Sequence, residues 1–259
     1  MPRRVTCLLT VATCLAPMLQ AAANPFVGKW KLNLAKSRLT GRSDSVLLVG
    51  PNEYQFKYGA FSWTLTVDGT EQPWPFGGTV SLMAVVEDSW KFTYKVDGTV
   101  VSIDRWWLGP DGKSMLRGRE GTGEGGSTFS SETKYTRTSG EKGFEGTWKS
   151  RKVTARTPDE LIVIANGDDG ITRTVPAEGI KVSLKFDGAD YAMEGPRAPA
   201  GMTLAAIRTG HRKVRTTTKL NGKVLDTAEI GVSADGRKTT AVQYDSGVTV
   251  PLVMVYERQ

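Results

Sequence analysis

Few side chains in this sequence are equipped for common catalytic chemistry. The 259-residue chain has one histidine, His211, and two cysteines, Cys7 and Cys14. A Cys/His zinc or iron–sulfur centre cannot be assembled from one such chain, and a Ser–His–Asp triad would have to use His211. His211 stands beside Arg212 and Lys213 with no acidic partner that the spacing identifies, so it reads as a surface histidine. Asp159-Glu160 and Asp168-Asp169 read as turn acids. Their spacing fits neither a calcium loop nor a catalytic carboxylate pair. Gly121-Thr122-Gly123-Glu124-Gly125-Gly126 formally matches G-x-G-x-x-G, but a β-rich segment from Thr128 to Arg137 follows it. Without a helix N-terminus to receive phosphates, it is a loop. No catalytic residue, metal ligand or cofactor is assigned.

What remains is recognition chemistry, and it is concentrated in one hairpin. Trp90-Lys91-Phe92-Thr93-Tyr94-Lys95-Val96 alternates apolar and polar, and Asp97-Gly98 supplies a two-residue type I′ turn. Pairing Val96 with Thr99 sets Tyr94 against Val101, Phe92 against Ile103 and Trp90 against Arg105. The predicted inward face is then Trp90, Phe92, Tyr94, Val101, Ile103, Arg105 and Trp107. On that face Arg105 could receive an anionic ligand head between apolar walls from Trp90 and Trp107; an internal salt bridge or a rim position are the plainer alternatives. The corresponding later face is Val214, Thr216, Thr218, Leu220, Leu225, Thr227 and Glu229, where threonines replace aromatics. That region should be either roomier and more polar or more collapsed. Trp74-Pro75-Phe76 could lie over an open end as a lid or pack there as a loop anchor.

These residues must be positioned by strands, and the strands come in two sets. Phe26-Val27-Gly28-Lys29-Trp30-Lys31 returns as Phe144-Glu145-Gly146-Thr147-Trp148-Lys149, and Tyr135-Thr136-Arg137 returns as Tyr256-Glu257-Arg258. The matches lie 118 to 124 residues apart, so one module occurs twice. The boundaries read as a leader at 1–23, module one at 24–138, a polar linker at 139–143 and module two at 144–259. Short strands and tight turns fill each module, with no long amphipathic helix. The predicted class is all-β: two consecutive antiparallel up-and-down barrels, whose closure removes exposed edges.

Gly28-x-Trp30 and Gly146-x-Trp148 at the module starts, with Arg137 and Arg258 at the ends, resemble the lipocalin and wider calycin pattern. That resemblance implies a tryptophan plugging each barrel base with an arginine packed over it, Arg137 on Trp30 and Arg258 on Trp148. It also implies a cavity for a small ligand. The middle Thr-Asp-Tyr motif and the cysteine pair of many secreted lipocalins are missing here, and the histidine-ligated haem of some bacterial relatives has no ligand in module one.

Arg3 and Arg4, the apolar stretch Val5–Leu19 and Ala21-Ala22-Ala23 form a secretory signal pattern with cleavage near Ala23. Its loss would remove both cysteines and lower the net charge of +7 by two. A secreted or periplasmic chain is expected, held by its core and without a membrane span. Basic residues are dispersed among acids, which does not indicate nucleic acid. The expected function is non-catalytic binding of a small apolar or amphipathic ligand, with an anionic head as one form. A structural module with an envelope partner is the alternative, and a calycin-type enzyme is a further one.

Overall fold

The computed structural model describes residues 24–122, 128–157, 161–166, 170–195 and 198–259. The leader with Cys7 and Cys14, residues 123–126 of the Gly121–Gly126 segment and the acidic pairs Asp159-Glu160 and Asp168-Asp169 lie outside the described residues. The alternating pattern folds as strands, with no α-helix among the described residues. In chain order these are β1 (Gly28–Leu32), β2 (Ser43–Gly50), β3 (Glu53–Tyr58), β4 (Phe61–Thr66), β5 (Glu71–Pro73), β6 (Thr79–Val86), β7 (Ser89–Val96), β8 (Thr99–Leu108), β9 (Ser114–Thr122) and β10 (Thr128–Ser139). The series continues with β11 (Gly146–Thr157), β12 (Leu161–Asn166), β13 (Ile171–Val175), β14 (Ile180–Leu184), β15 (Tyr191–Ala192), β16 (Met202–Gly210), β17 (Lys213–Leu220), β18 (Lys223–Val232), β19 (Lys238–Asp245) and β20 (Leu252–Arg258).

They make two ten-stranded antiparallel sheets, each curled into a nearly closed barrel, as the repeat and the turn spacing predict. Barrel 1 has the order β4-β3-β2-β11-β10-β9-β8-β7-β6-β5, and barrel 2 has β14-β13-β12-β1-β20-β19-β18-β17-β16-β15. The remaining seam of barrel 1 is stitched by the Gln72 side chain, which accepts from Thr66 N at 2.9 Å and donates to Thr66 O at 3.0 Å. Barrel 2 is stitched by the Lys181–Glu194 bridge. Both devices satisfy edge groups that would otherwise invite another strand.

The sheets cross the repeats. β1 lies between β12 and β20, and β11 lies between β10 and β2, so the first strand of each module closes the other barrel. The stacking pairs are therefore exchanged relative to the sequence expectation. Arg258 lies 4.3 Å from the Trp30 ring and Arg137 lies 4.2 Å from the Trp148 ring. The reason is chain connectivity: β10 and β11 are joined by a hairpin-length link, and pairing with a sequence neighbour costs the least loop-closure entropy. Once Trp148 is used by barrel 1, the place in barrel 2 falls to Trp30.

Both bases are built identically around the exchanged strands. Trp30 Nε1 donates to Phe26 O and Trp148 Nε1 to Phe144 O, each at 2.8 Å. Arg258 donates to the carbonyls of Gly236, Val27 and Pro25, and Arg137 to those of Gly112, Glu145 and Gly143. The glycine of G-x-W is required by close approach. A Cβ on Gly28 would sit 2.4 Å from Arg258 Nη1, and one on Gly146 would sit 2.1 Å from Ser139 O, both at positive φ.

The hairpin register differs from the predicted one by a single residue. Asp97 and Gly98 have φ of 49° and 75°, the type I′ turn expected, and Val96 does face Thr99. A β-bulge between Tyr94 and Lys95 then sets Tyr94 against Ser102, Phe92 against Asp104 and Trp90 against Trp106. The inward face is thus Trp90, Phe92, Tyr94, Ser102, Asp104 and Trp106. The same bulge recurs between Thr218 and Lys219, so Thr216 and Thr218 face Ala228 and Asp226. One extra residue reverses every side chain beyond it, which no count outward from the turn reveals.

Candidate functional site

The bulges decide which predicted residues can line an interior. Arg105 is on the outer wall of barrel 1, where it pairs with Glu120, and Trp107 is 38% exposed against Gly118. Glu229 pairs with Arg215 on the outside of barrel 2, and Thr227 stands beside Thr217 and Tyr244 on the same outer row. These four cannot line a barrel cavity. Trp90 and Phe92 are inside but buried in the lower core, with Trp90 stacked on Phe144 at 4.1 Å. Tyr94, Trp74, Thr216 and Thr218 face inward or cover the open end.

Equivalent rows of the two barrels show how differently they are filled. Leu82, Phe92, Asp104 and Arg119 of barrel 1 correspond, 124 residues on, to Ala206, Thr216, Ala228 and Gln243 of barrel 2. Ala206 and Ala228 are nonetheless buried, because Ile171, Val182 and Leu184 close on this height. Of the two expectations for this region, the collapsed one holds here. Dispersion contacts favour drawing the wall in over leaving a void.

Polar side chains collect above these cores, at the end marked by the Asp97-Gly98 turn. In barrel 1, Asp104 is 1% exposed and accepts from Arg117 Nε at 3.0 Å, with Arg119 Nε 3.5 Å from its other oxygen. That other oxygen, Oδ1, and Trp106 Nε1 are buried without a hydrogen bond. Arg117 sits inside the barrel with 30% of its side chain accessible. Burial raises the Asp44 carboxyl above the ordinary carboxylate range, against the pull of Arg117. Burial also pushes Tyr135 up to about 12 and Tyr94 higher still. Two guanidinium groups, Arg117 and Arg119, thus reach the one Asp104 carboxylate. Tyr94, one inward pair nearer the turn than Asp104, belongs to an aromatic hood. Trp74 contacts Trp63 at 5.3 Å, Phe76 at 5.3 Å and Tyr94 at 5.1 Å between ring centroids.

The open end of barrel 2 meets that of barrel 1. Ala60 N donates to Ser246 O at 2.8 Å, and Lys223 Nζ lies over the Phe61 ring at 4.7 Å. Gly59 is required here, since its Cβ would fall 2.3 Å from Ser246 O. Between the barrels Arg42 is buried and donates to Asp245, Tyr58 Oη and the carbonyls of Gln243 and Val250. Tyr58 also donates to Asp245, and burial with that carboxylate drives its hydroxyl pKa far upward. Asp226, cross-strand neighbour of Asp245, accepts from Thr218 at 3.2 Å. Burial, assisted by the Asp245 charge, pushes Asp226 up to about 6.

Asp44, Arg42, Tyr58, Asp104, Arg117, Arg119, Asp226 and Asp245 were not selected from sequence. Met115, Arg117 and Arg119 do alternate on one face of β9, and Trp106-Trp107 admits either register; together these were the available signal. No group of three or more His, Cys, Asp or Glu among the described residues could hold a metal ion. No helix among them is long and apolar enough to cross a membrane. No family model, no curated protein and no solved structure matches the chain.

Proposed function

We propose that the protein is a non-catalytic binding protein that holds a small amphipathic anion at the meeting of the two barrel mouths. The observation that carries this reading is Arg117, partly accessible inside barrel 1 and close to Tyr94, which packs with Trp74 and through it with Trp63. An apolar body would rest against the hood, and an acidic head would reach Arg117 and Arg119. Each barrel has its own G-x-W strand and stacked arginine, which supports a lipocalin-like reading of each, although the two residues come from different repeats. With the N-terminal signal pattern, the setting we propose is secreted or periplasmic. The second reading is a structural envelope module with filled barrels. It is favoured by the closed mid-section of barrel 2 and by exposed Val85 and Val86 at the barrel 1 base.

Native mass spectra of the protein purified gently from its host, before and after organic extraction, test the proposal. The expected result is a discrete adduct lost on extraction, and saturable quenching of tryptophan emission by an anionic naphthalene sulfonate probe. Trp74→Ala is expected to weaken that probe about tenfold, equivalent to ~1.4 kcal/mol. A clean mass together with no saturable probe binding would transfer the case to the structural module.

A further inference from the structure

The base ends of the two barrels offer an internal comparison, remote from the mouths. At the end of β6 and into the following turn, barrel 1 carries Ala84, Val85, Val86, Glu87 and Asp88; 124 residues on, at the end of β16 and into its turn, barrel 2 carries Arg208, Thr209, Gly210, His211 and Arg212. Both strands shift register at this point, between Ala84 and Val86 and between Arg208 and Gly210. Such a shift re-aims the side chains beside it. The same backbone device therefore presents apolar and acidic groups on one barrel and basic, polar groups on the other.

The packing under the turn changes in step. Barrel 1 plugs its base with Trp90 stacked on Phe144. In barrel 2 Val214 takes the place of Trp90 and Phe26 that of Phe144, and the ring's partner becomes a cation. The Arg208 guanidinium lies 5.7 Å from the Phe26 ring and 4.3 Å from the Phe186 ring. Its Nη1 donates to His211 O at 3.2 Å, and no carboxylate reaches it among the described residues. Asp187, next in the chain to Phe186, is held by Tyr191 Oη at 2.8 Å and Ala189 N at 2.9 Å. Arg208, Thr209, Gly210 and His211 line an open cleft of about 540 Å³ with Asn24 and Pro25. Its far wall is fixed, because Arg258 Nη2 donates to Pro25 O at 2.9 Å.

We propose that this cleft binds a small oxyanion of the phosphate type. Arg208 presents the free edge of a planar fork that can meet two oxyanion oxygens. Two rings already orient it, so less side-chain freedom is lost on binding. His211 supplies a second nitrogen donor. Arg212 and Arg237, joined to this end through Val232 N and Arg258 N, together with Lys213 outnumber Asp235 there and raise the local potential for an anion. A free phosphate compound and an anionic lipid headgroup share this chemistry.

The single histidine makes the test direct, because the imidazole C2 proton gives one resonance in the full chain. At constant pH and ionic strength, inorganic phosphate is expected to shift that resonance saturably, whereas chloride is not. Arg208→Gln is expected to weaken the response about tenfold or more, with total tryptophan emission and far-ultraviolet dichroism unchanged. Arg208→Lys keeps the charge, loses the fork, and is expected to weaken it several-fold. Preferential broadening by phosphatidylglycerol vesicles over phosphatidylcholine vesicles assigns a lipid headgroup; a phosphate response without vesicle preference assigns a free anion. Equal responses to phosphate and chloride overturn the proposal. So does undiminished phosphate binding in a folded Arg208→Gln protein or, should that variant unfold, in Arg208→Lys.

Discussion

Asp226 shows how an acid on a strand acquires a distinct role from its surroundings. It faces inward beside Asp245, and Arg42 and Tyr58 keep Asp245 well supplied with donors. Among the described residues the donor given to Asp226 is the Thr218 hydroxyl, and burial raises its pKa to about 6. Because the folded value lies above the unfolded one, the folded chain favours the protonated form. Asp226 therefore costs nothing below about pH 4, and the cost grows as pH rises through about 6. The full shift corresponds to about 3 kcal/mol, which partial accessibility reduces to about 1–2 kcal/mol. Asp226→Asn keeps the shape and removes the charge. Its urea midpoint should exceed that of the wild type at pH 8 and match it at pH 4; no gain at pH 8 would refute the assigned environment. Asp104, also an inward carboxylate, is held against Arg117 and Arg119.

At the scale of the element, β1 is the decisive piece. It is five residues long and far in sequence from every strand that it joins, yet it completes barrel 2 through Trp30, Leu32 and the arginine stack. It also makes Trp30 the one tryptophan in barrel 2, the other six belonging to barrel 1. Arg258→Ala removes that stack and three bonds to carbonyls, at a cost of about 2 kcal/mol. Acrylamide quenching in a chain whose other tryptophans are phenylalanine should then report a more accessible Trp30. Arg137→Ala should leave Trp30 as it was. If Arg137→Ala perturbs Trp30 and Arg258→Ala does not, each module closes on its own first strand and the exchanged topology is wrong. The strands themselves, the paired turns at Asp97-Gly98 and Asn221-Gly222 and the repeat were all legible, because each depends on residues close in sequence. The bulges at Tyr94 and Thr218 were not. Either register buries a plausible set of side chains, and only the filled barrel distinguishes them.

The whole molecule is organised around the meeting of the mouths, where both exchanged strands pass from one barrel to the other. Arg42 lies on the first of these crossings and binds groups from both barrels: Tyr58 from barrel 1, and Asp245 and Gln243 from barrel 2. Arg42→Met would leave Asp245 without its cation, at a cost of about 3 kcal/mol. The loss falls on the junction, while the two cores keep their packing. Calorimetry of the wild type should show one cooperative transition, and the variant should separate into two with distinct tryptophan signals. A single transition shifted to lower temperature would mean that the exchanged strands alone couple the barrels. The same junction explains why the candidate site escaped the sequence: its residues come from β2, β3, β8, β9, β18 and β19 and from the crossing segment, and nothing local relates them.

The resemblance to the lipocalin pattern implied the pairing of a G-x-W tryptophan with a terminal arginine, whereas the sequence by itself determined the all-β class, the duplicated module and the turn types. These follow from backbone preferences and short-range alternation, which act within a few residues. Tertiary structure alone decided which arginine covers which tryptophan, which face of β8 and β18 turns inward, and that the polar groups converge between the barrels. Those outcomes depend on closing two barrels at once. A short link between β10 and β11 decides one closure and leaves β1 for the other, while packing selects the bulged register over the regular one.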